Sequence, residues 1–246
     1  MMRSHRPLWM AALGVVLAGA SISAVSAQDS RTGSRLGNRL EAGKPQKTSD
    51  AITNAHTLAR CIYLVRDRTV DRYLTTTSFD DHDNAAALVF KDVECEFHRV
   101  DSALTETHGV YSSPASMRGL LAEAALRKGG FLTDPDKQLP RLPIAEGYNK
   151  TWFKMTQRSN TVNAMSACFA DTWPDLVVAL LKTKPVSNEE NQVIGEVAGE
   201  LGPCLINGAQ LQANAFTLRA ALAEGYFHRA MGANEDIVPD VRKTAE

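Results

Sequence analysis

The feature that most constrains this chain is that one segment occurs in it twice. Aligning Cys61 with Cys168 lays ARCIYLVRDRTVDRYLTT over ACFADTWPDLVVALLKT and matches Val70 to Val177 and Leu74 to Leu181. The next cysteines, Cys95 and Cys204, follow after 34 and 36 positions. Further on, MRGLLAEAALRK recurs as LRAALAEGYFHR, so that Arg118 answers Arg219, Leu121 answers Leu222 and Glu123 answers Glu224. Three landmarks in the same order indicate a duplicated unit, and a unit that cannot bury its apolar face alone buries it against its copy.

Both copies read as helices. In the first, Ser49 or Asp50 stands where a cap belongs, and Ile52, Ala55, Ala59, Ile62 and Tyr63 recur at the spacing of one apolar helix face. A charged break at Arg66 to Arg68 precedes a short helix over 69–74. A third helix is expected from a cap at Asp83 through Leu88, Val89, Val93, Phe97 and Val100, carrying Cys95 within it. Ser113 followed by Pro114 marks the start of a fourth, and Gly129 with Gly130 its end.

In the second copy, Trp173 and Pro174 split the Cys168 helix from a helix over 176–181. Ser187 with Glu190 reads as a capping box, Gly202 and Pro203 stop the next helix before Cys204, and a last helix runs from Ala215 to Met231. The expected fold is all-α: two pseudo-two-fold related helical units packed as one disulfide-bearing domain. The expected boundaries are a signal peptide over 1–27, a flexible arm over 28–48, helical unit 1 over 49–130 and a proline-bearing connector over 131–155. Helical unit 2 covers 156–232, and a flexible tail covers 233–246.

The N-terminus carries Arg3 and Arg6, an apolar stretch from Leu8 to Ala20 and small residues up to Ala27, the layout of a cleaved secretory leader. The apolar stretch is shorter than the roughly 20 residues that cross a bilayer. No membrane insertion is therefore expected after cleavage, and the chain reads as exported. An even number of cysteines in an oxidising compartment favours disulfides. Four cysteines allow three pairings. If the duplicated unit held two of them, each copy closes its own bridge, Cys61 to Cys95 and Cys168 to Cys204.

With 27 basic against 28 acidic residues the chain offers no electrostatic footprint for nucleic acid. The strongest polar constellation is Arg118 with Glu123 and its echo Arg219 with Glu224. Residues five apart on a helix do not share a face, and a carboxylate among Leu120, Leu121 and Ala122 needs a partner. A crossed arrangement, Arg118 with Glu224 and Arg219 with Glu123, satisfies both as inter-unit ion pairs and is preferred to a catalytic carboxylate.

Asp80, Asp81, His82 and Asp83 offer oxygen and nitrogen ligands in a loop. They lack the spacing and glycine of a calcium loop, so no metal is assigned and the stretch reads as a capped, solvated turn. His98 and His108 flank the end of the Cys95 helix and read as surface histidines. No nucleophile elbow, zinc-protease, C-x-x-C or phosphate-loop motif accompanies them. Asn149, Lys150 and Thr151 spell a glycosylation acceptor.

On its leader, its Cys-bearing first helix and the segment Arg118 to Glu123, the chain resembles a group of small exported bacterial proteins of unknown function. The resemblance extends over both units and implies a bacterial periplasmic or secreted location, with no activity attached. The reading that results is an exported, non-catalytic binding or structural protein with an unidentified protein or small-molecule partner and no cofactor. It binds through the groove between the units or through exposed helix faces. The alternative is a small periplasmic hydrolase or metal-dependent enzyme using Glu123 and Glu224, or His98 and His108. Homo-oligomer assembly is the third option.

Overall fold

The computed structural model describes residues 48–91, 95, 112–205 and 213–232. The leader, most of the arm, the tail, His98 and His108 lie outside the described residues. Within them the fold is all-helical: α1 (Thr48–Thr75), α2 (Phe79–Phe90), α3 (Pro114–Lys128), α4 (Asn160–Thr172), α5 (Pro174–Lys182), α6 (Asn188–Glu200) and α7 (Ala215–Ala230). No single helix among the described residues is long and apolar enough to cross a membrane.

The centre is the pair α3 and α7. Every residue from Ser116 to Leu126 and from Leu218 to His228 is buried. Neither helix therefore has a solvent face, which explains why neither shows a clear amphipathic stripe in sequence. Around this pair, α1 packs on α3 while α4 and α5 pack on α7. Fully buried Leu120, Leu121, Leu126 and Leu222 contribute about 2 kcal/mol each by the usual scaling of apolar burial.

The approach of α3 to α7 depends on Gly119. A Cβ at that position would sit 2.1 Å from the carbonyl oxygen of Ala220, the residue that answers Gly119 in the repeat. Gly225 likewise lets α7 lie against the Ser166 backbone of α4, where a Cβ would come within 2.6 Å of the Ser166 oxygen.

Helix punctuation follows the side chains. Ser113 accepts from Ser116 N–H, Ser159 from Val162 N–H, Ser187 from Glu190 N–H and Asn214 from Thr217 N–H, each filling an orphan donor of a first turn. Pro174 sits at the first position of α5, which is bent from α4 by 101°. α1 carries its own break at Arg66, where φ is −137° and ψ is 39°.

The expected Cys95 helix requires correction. α2 starts at Phe79, after Ser78, and ends before Lys91, so Asp83 lies inside it and Cys95 beyond it. Asp80 and Asp81 in the first turn favour the earlier start, because acids there complement the helix dipole. The acidic stretch is thus helical, and His82 is buried against the Tyr73 ring with centroids 4.8 Å apart, where a solvated loop was expected.

Two disulfides join Cys61 to Cys95 and Cys168 to Cys204. The connector runs extended after a short turn at Pro135–Lys137. It is tied to the second unit by a bidentate Arg141 to Asp175 pair at 3.0 and 2.7 Å and by Leu142 N–H donating to Asp171 O at 2.8 Å.

Candidate functional site

The repeated arginines and glutamates lie in the seam between α3 and α7. Arg219 grips Glu123 with two parallel bonds, Nε to Oε2 at 2.9 Å and Nη2 to Oε1 at 2.8 Å. Arg118 Nε donates to Glu224 Oε1. Neither arginine pairs with the glutamate of its own helix. Each also donates Nη2 to a carbonyl in the last turn of a neighbouring helix, Arg118 to Leu74 O of α1 and Arg219 to Leu181 O of α5. Those two leucines are aligned in the repeat. All four charged side chains are at most 6 % exposed.

Each pair has further partners that do not stand out in the sequence. Arg127, one turn after Glu123, donates to Glu123 Oε1 at 3.0 Å. Arg219 Nη1 reaches Glu190 Oε1 at 2.8 Å, while Glu190 Oε2 accepts the Val186 N–H at 2.6 Å. Glu190 therefore does more than its capping-box position suggests, and Val186 takes a left-handed φ of 63° beside it. Glu224 is shared between Arg118 and Arg158, whose Nη1 donates to Oε2. Gln157, with φ 57°, turns the chain just before Arg158.

Electrostatics settle the chemical character of this seam. Burial alone would raise the Glu123 carboxyl, yet the hydrogen bonds and charge of Arg219 hold it below the ordinary value. Glu224 is likewise opposed by burial and held well below the carboxylate range by Arg118 and Arg158. Carboxylates that stay ionised against their arginines are poor proton donors at neutral pH. Burial lowers His56, 3.5 Å from Glu123 Oε2, to about 4 and lowers His228 in the same direction, so both rings are neutral near pH 7.

A pocket of about 310 Å³ opens behind this seam, between α4, α7 and the end of the connector. Its walls include Leu139, Trp152, Ala167 and Gly225, and its polar groups are Lys150, Asp171, His228 and Arg229. The His228 ring stacks on Trp152 at 4.2 Å and 7°. Arg229 is already engaged, with Nε 3.2 Å from Asp171 Oδ1, Nη1 donating to the carbonyls of Ala170 and Asp171, and Nη2 donating to that of Pro140. Burial raises the Asp171 carboxyl against the pull of Arg229.

None of these pocket residues stood out as a site in the sequence. The available signals were Asp171 within the apolar run of α4 and His228 one turn after Glu224. Among the described residues no group of three or more His, Cys, Asp or Glu side chains is placed to hold a metal ion. Compared with protein-family models, with curated proteins and with solved structures, the chain finds no match.

Proposed function

We propose that the protein is an exported, non-catalytic binding protein whose ligand is a small organic anion held in the pocket between α4, α7 and the connector. The observation that carries this reading is the division of labour between the polar groups. Arg118, Arg219, Glu123 and Glu224 are consumed in the seam. Lys150 and Asp171 instead border an open pocket with an aromatic wall. A concave pocket in which a few polar groups converge is a usual form of a small-molecule site. Arg229 and Asp171 offset each other as an ion pair, which leaves the charge of Lys150 at the pocket uncompensated by them.

Export is supported by the leader-like N-terminus and by two disulfides, which persist in oxidising compartments. An approximate two-fold relation between the units is supported by the crossed ion pairs and by the Gly119 to Ala220 contact. On a two-fold axis each residue meets its own counterpart.

The test is a thermal-shift screen of the mature, oxidised protein against small organic acids, amines and neutral analogues, with Trp emission read in parallel. Acids are expected to raise Tm by about 5–10 °C at a hundredfold excess over Kd, and Lys150→Glu is expected to abolish the rise. A shift that survives Lys150→Glu, or one confined to amines, would sink the assignment.

A further inference from the structure

The connector covers one end of α4 in the second unit. Leu139 and Leu142 line the pocket there. Leu142 N–H donates to Asp171 O at 2.8 Å, Arg229 Nη2 donates to Pro140 O, and Arg141 holds Asp175 with two bonds. In the register that aligns Cys61 with Cys168, Asp171 answers Leu64 and Asp175 answers Arg68. This matching stretch of α1 is bare among the described residues. Leu64 is 66 % exposed, whereas the Asp171 side chain is 22 % exposed. Arg68 is exposed, and its side chain makes no ion pair among the described residues. Beside it lies a cleft of about 160 Å³ whose accessible surface is mostly apolar and whose described walls come from α1 and α3 alone, among them Tyr63, Leu64 and Ala124.

The chain holds a second segment with the connector's pattern. After α3, the left-handed Gly130 leads to Leu139, Pro140, Arg141 and Leu142; after α7, the left-handed Gly232 leads to Val238, Pro239, Asp240 and Val241. Leu139 follows its glycine by nine positions and Val238 by six, and the difference is the length of the three-residue turn Pro135–Lys137. Apolar and proline positions coincide between the two segments. The charged position is inverted in sign, and so is its counterpart on the helix: Arg141 meets Asp175, and Asp240 answers Arg141 where Arg68 answers Asp175. Inverting both members keeps the pair attractive.

We propose that residues 238–241, which lie outside the described residues, dock on α1 of the first unit as residues 139–142 dock on the second. Val238 fills the apolar cleft, Val241 covers Leu64, and Asp240 pairs with Arg68. Proline holds the residue before it extended, which suits a strap laid along a helix. Burial of Leu64 supplies the drive, and the planar guanidinium of Arg68 accepts a carboxylate in a fixed register. On a two-fold axis the chain leaving α7 meets α1 as the chain leaving α3 meets the second unit. The inference rests on the two-fold relation between the units and is independent of the anion assigned to the second-unit pocket.

The experiment is a methyl NOE measurement on the mature, oxidised protein with labelled Leu and Val side chains. Cross-peaks are expected from the Val238 and Val241 methyls to those of Leu64, and from Val238 to the Tyr63 ring. Arg68→Glu and Asp240→Arg, neither of which touches the core, should each weaken these cross-peaks about threefold, the scale of an exposed ion pair, and the two together should restore them. Absent cross-peaks overturn the proposal, as does contact of Leu64 with Val93, Phe97 or Leu104 instead. Cross-peaks that appear between differently labelled molecules would assign the face to a second copy, and cross-peaks indifferent to either charge change, or not recovered in the double variant, would sink the Asp240 to Arg68 register.

Discussion

At Arg66 in the first unit and at Trp173 in the second, positions that the repeat aligns, the backbone makes the same break. The dihedrals are −137° and 39° at Arg66 and −130° and 55° at Trp173. Only the second break is followed by proline, at Pro174; the first is followed by Asp67. Proline cannot by itself be the cause of a bend that its counterpart makes without it. What the two breaks share is a long-range requirement: the helical segment that follows must bring Leu74 O or Leu181 O, in its last turn, to an arginine of the central pair. In the first unit the Arg66 side chain, donating to Leu88 O on α2, adds a local tie.

The two glutamates of the seam differ more. Glu123 belongs to a group in which Arg219 is also neutralised by Glu190, whereas among the described residues Glu224 is the one carboxylate that answers both Arg118 and Arg158. Removing a buried carboxylate strands whatever cation it served, a loss of about 3–5 kcal/mol. Glu224→Ala is therefore expected at the upper end of that range in urea unfolding, or not to fold, and Glu123→Ala at the lower end. A larger loss for Glu123→Ala would break the comparison.

Each glutamate also has a buried histidine beside it, His56 from α1 and His228 from α7. A histidine whose folded pKa is depressed binds its proton in the unfolded state first, so its contribution is present above pH 6.5 and lost as pH falls through the folded value. For His56 that window runs from 6.5 down to about 4. At ~1.4 kcal/mol per pH unit it amounts to at most about 3 kcal/mol. The contributions of Glu123 and Glu224, whose pKa values are lowered, are lost only below about 4.5. His56→Gln should flatten the fall in stability between pH 6.5 and 4 and leave the portion due to His228. An unchanged slope would assign the whole effect to the second unit.

The smallest effect tests the breaks directly. Asp67→Pro places a proline where the second unit has one. It loses the exposed Asp67 to Lys128 pair, a small contribution because both side chains are solvated, and restricts the unfolded chain, which acts in the opposite sense. The Tm of the variant is expected to stay within a few degrees of the parent. A loss of ~3 kcal/mol or more, the figure for proline in a helix interior, would mean that the two breaks differ in their backbone bonding.

Much of the fold was legible because its signals are local. Ser113 with Pro114, Trp173 with Pro174, Ser187 and Gly232 mark helix ends through contacts within a few residues. The charged residues at 118, 123, 219 and 224 announced themselves because each interrupts an apolar run. The α2 boundary was harder to read. In the sequence Val93, Phe97 and Val100, which lie outside the described residues, continue a helical period beyond Phe90, yet the chain leaves helical geometry at Lys91, where ψ is 127°, and Cys95 is bonded to Cys61 of α1. Glu190 and Arg158 were hidden for the opposite reason. One had a sufficient local explanation as a capping residue, and the other sits in a polar loop with no local signal.

By itself, the amino-acid sequence determined the helical content, the punctuation, the repeat and the need of four charges for partners. Periodicity, caps and the cost of burying a lone charge all act over a few residues of chain. Only the tertiary structure decided that Arg219 meets Glu190 as well as Glu123, that Glu224 serves two arginines, and that a break occurs at Arg66 without proline. Those outcomes depend on where helices distant in sequence come to lie, and the contact that sets this is as fine as the missing Cβ of Gly119 against Ala220.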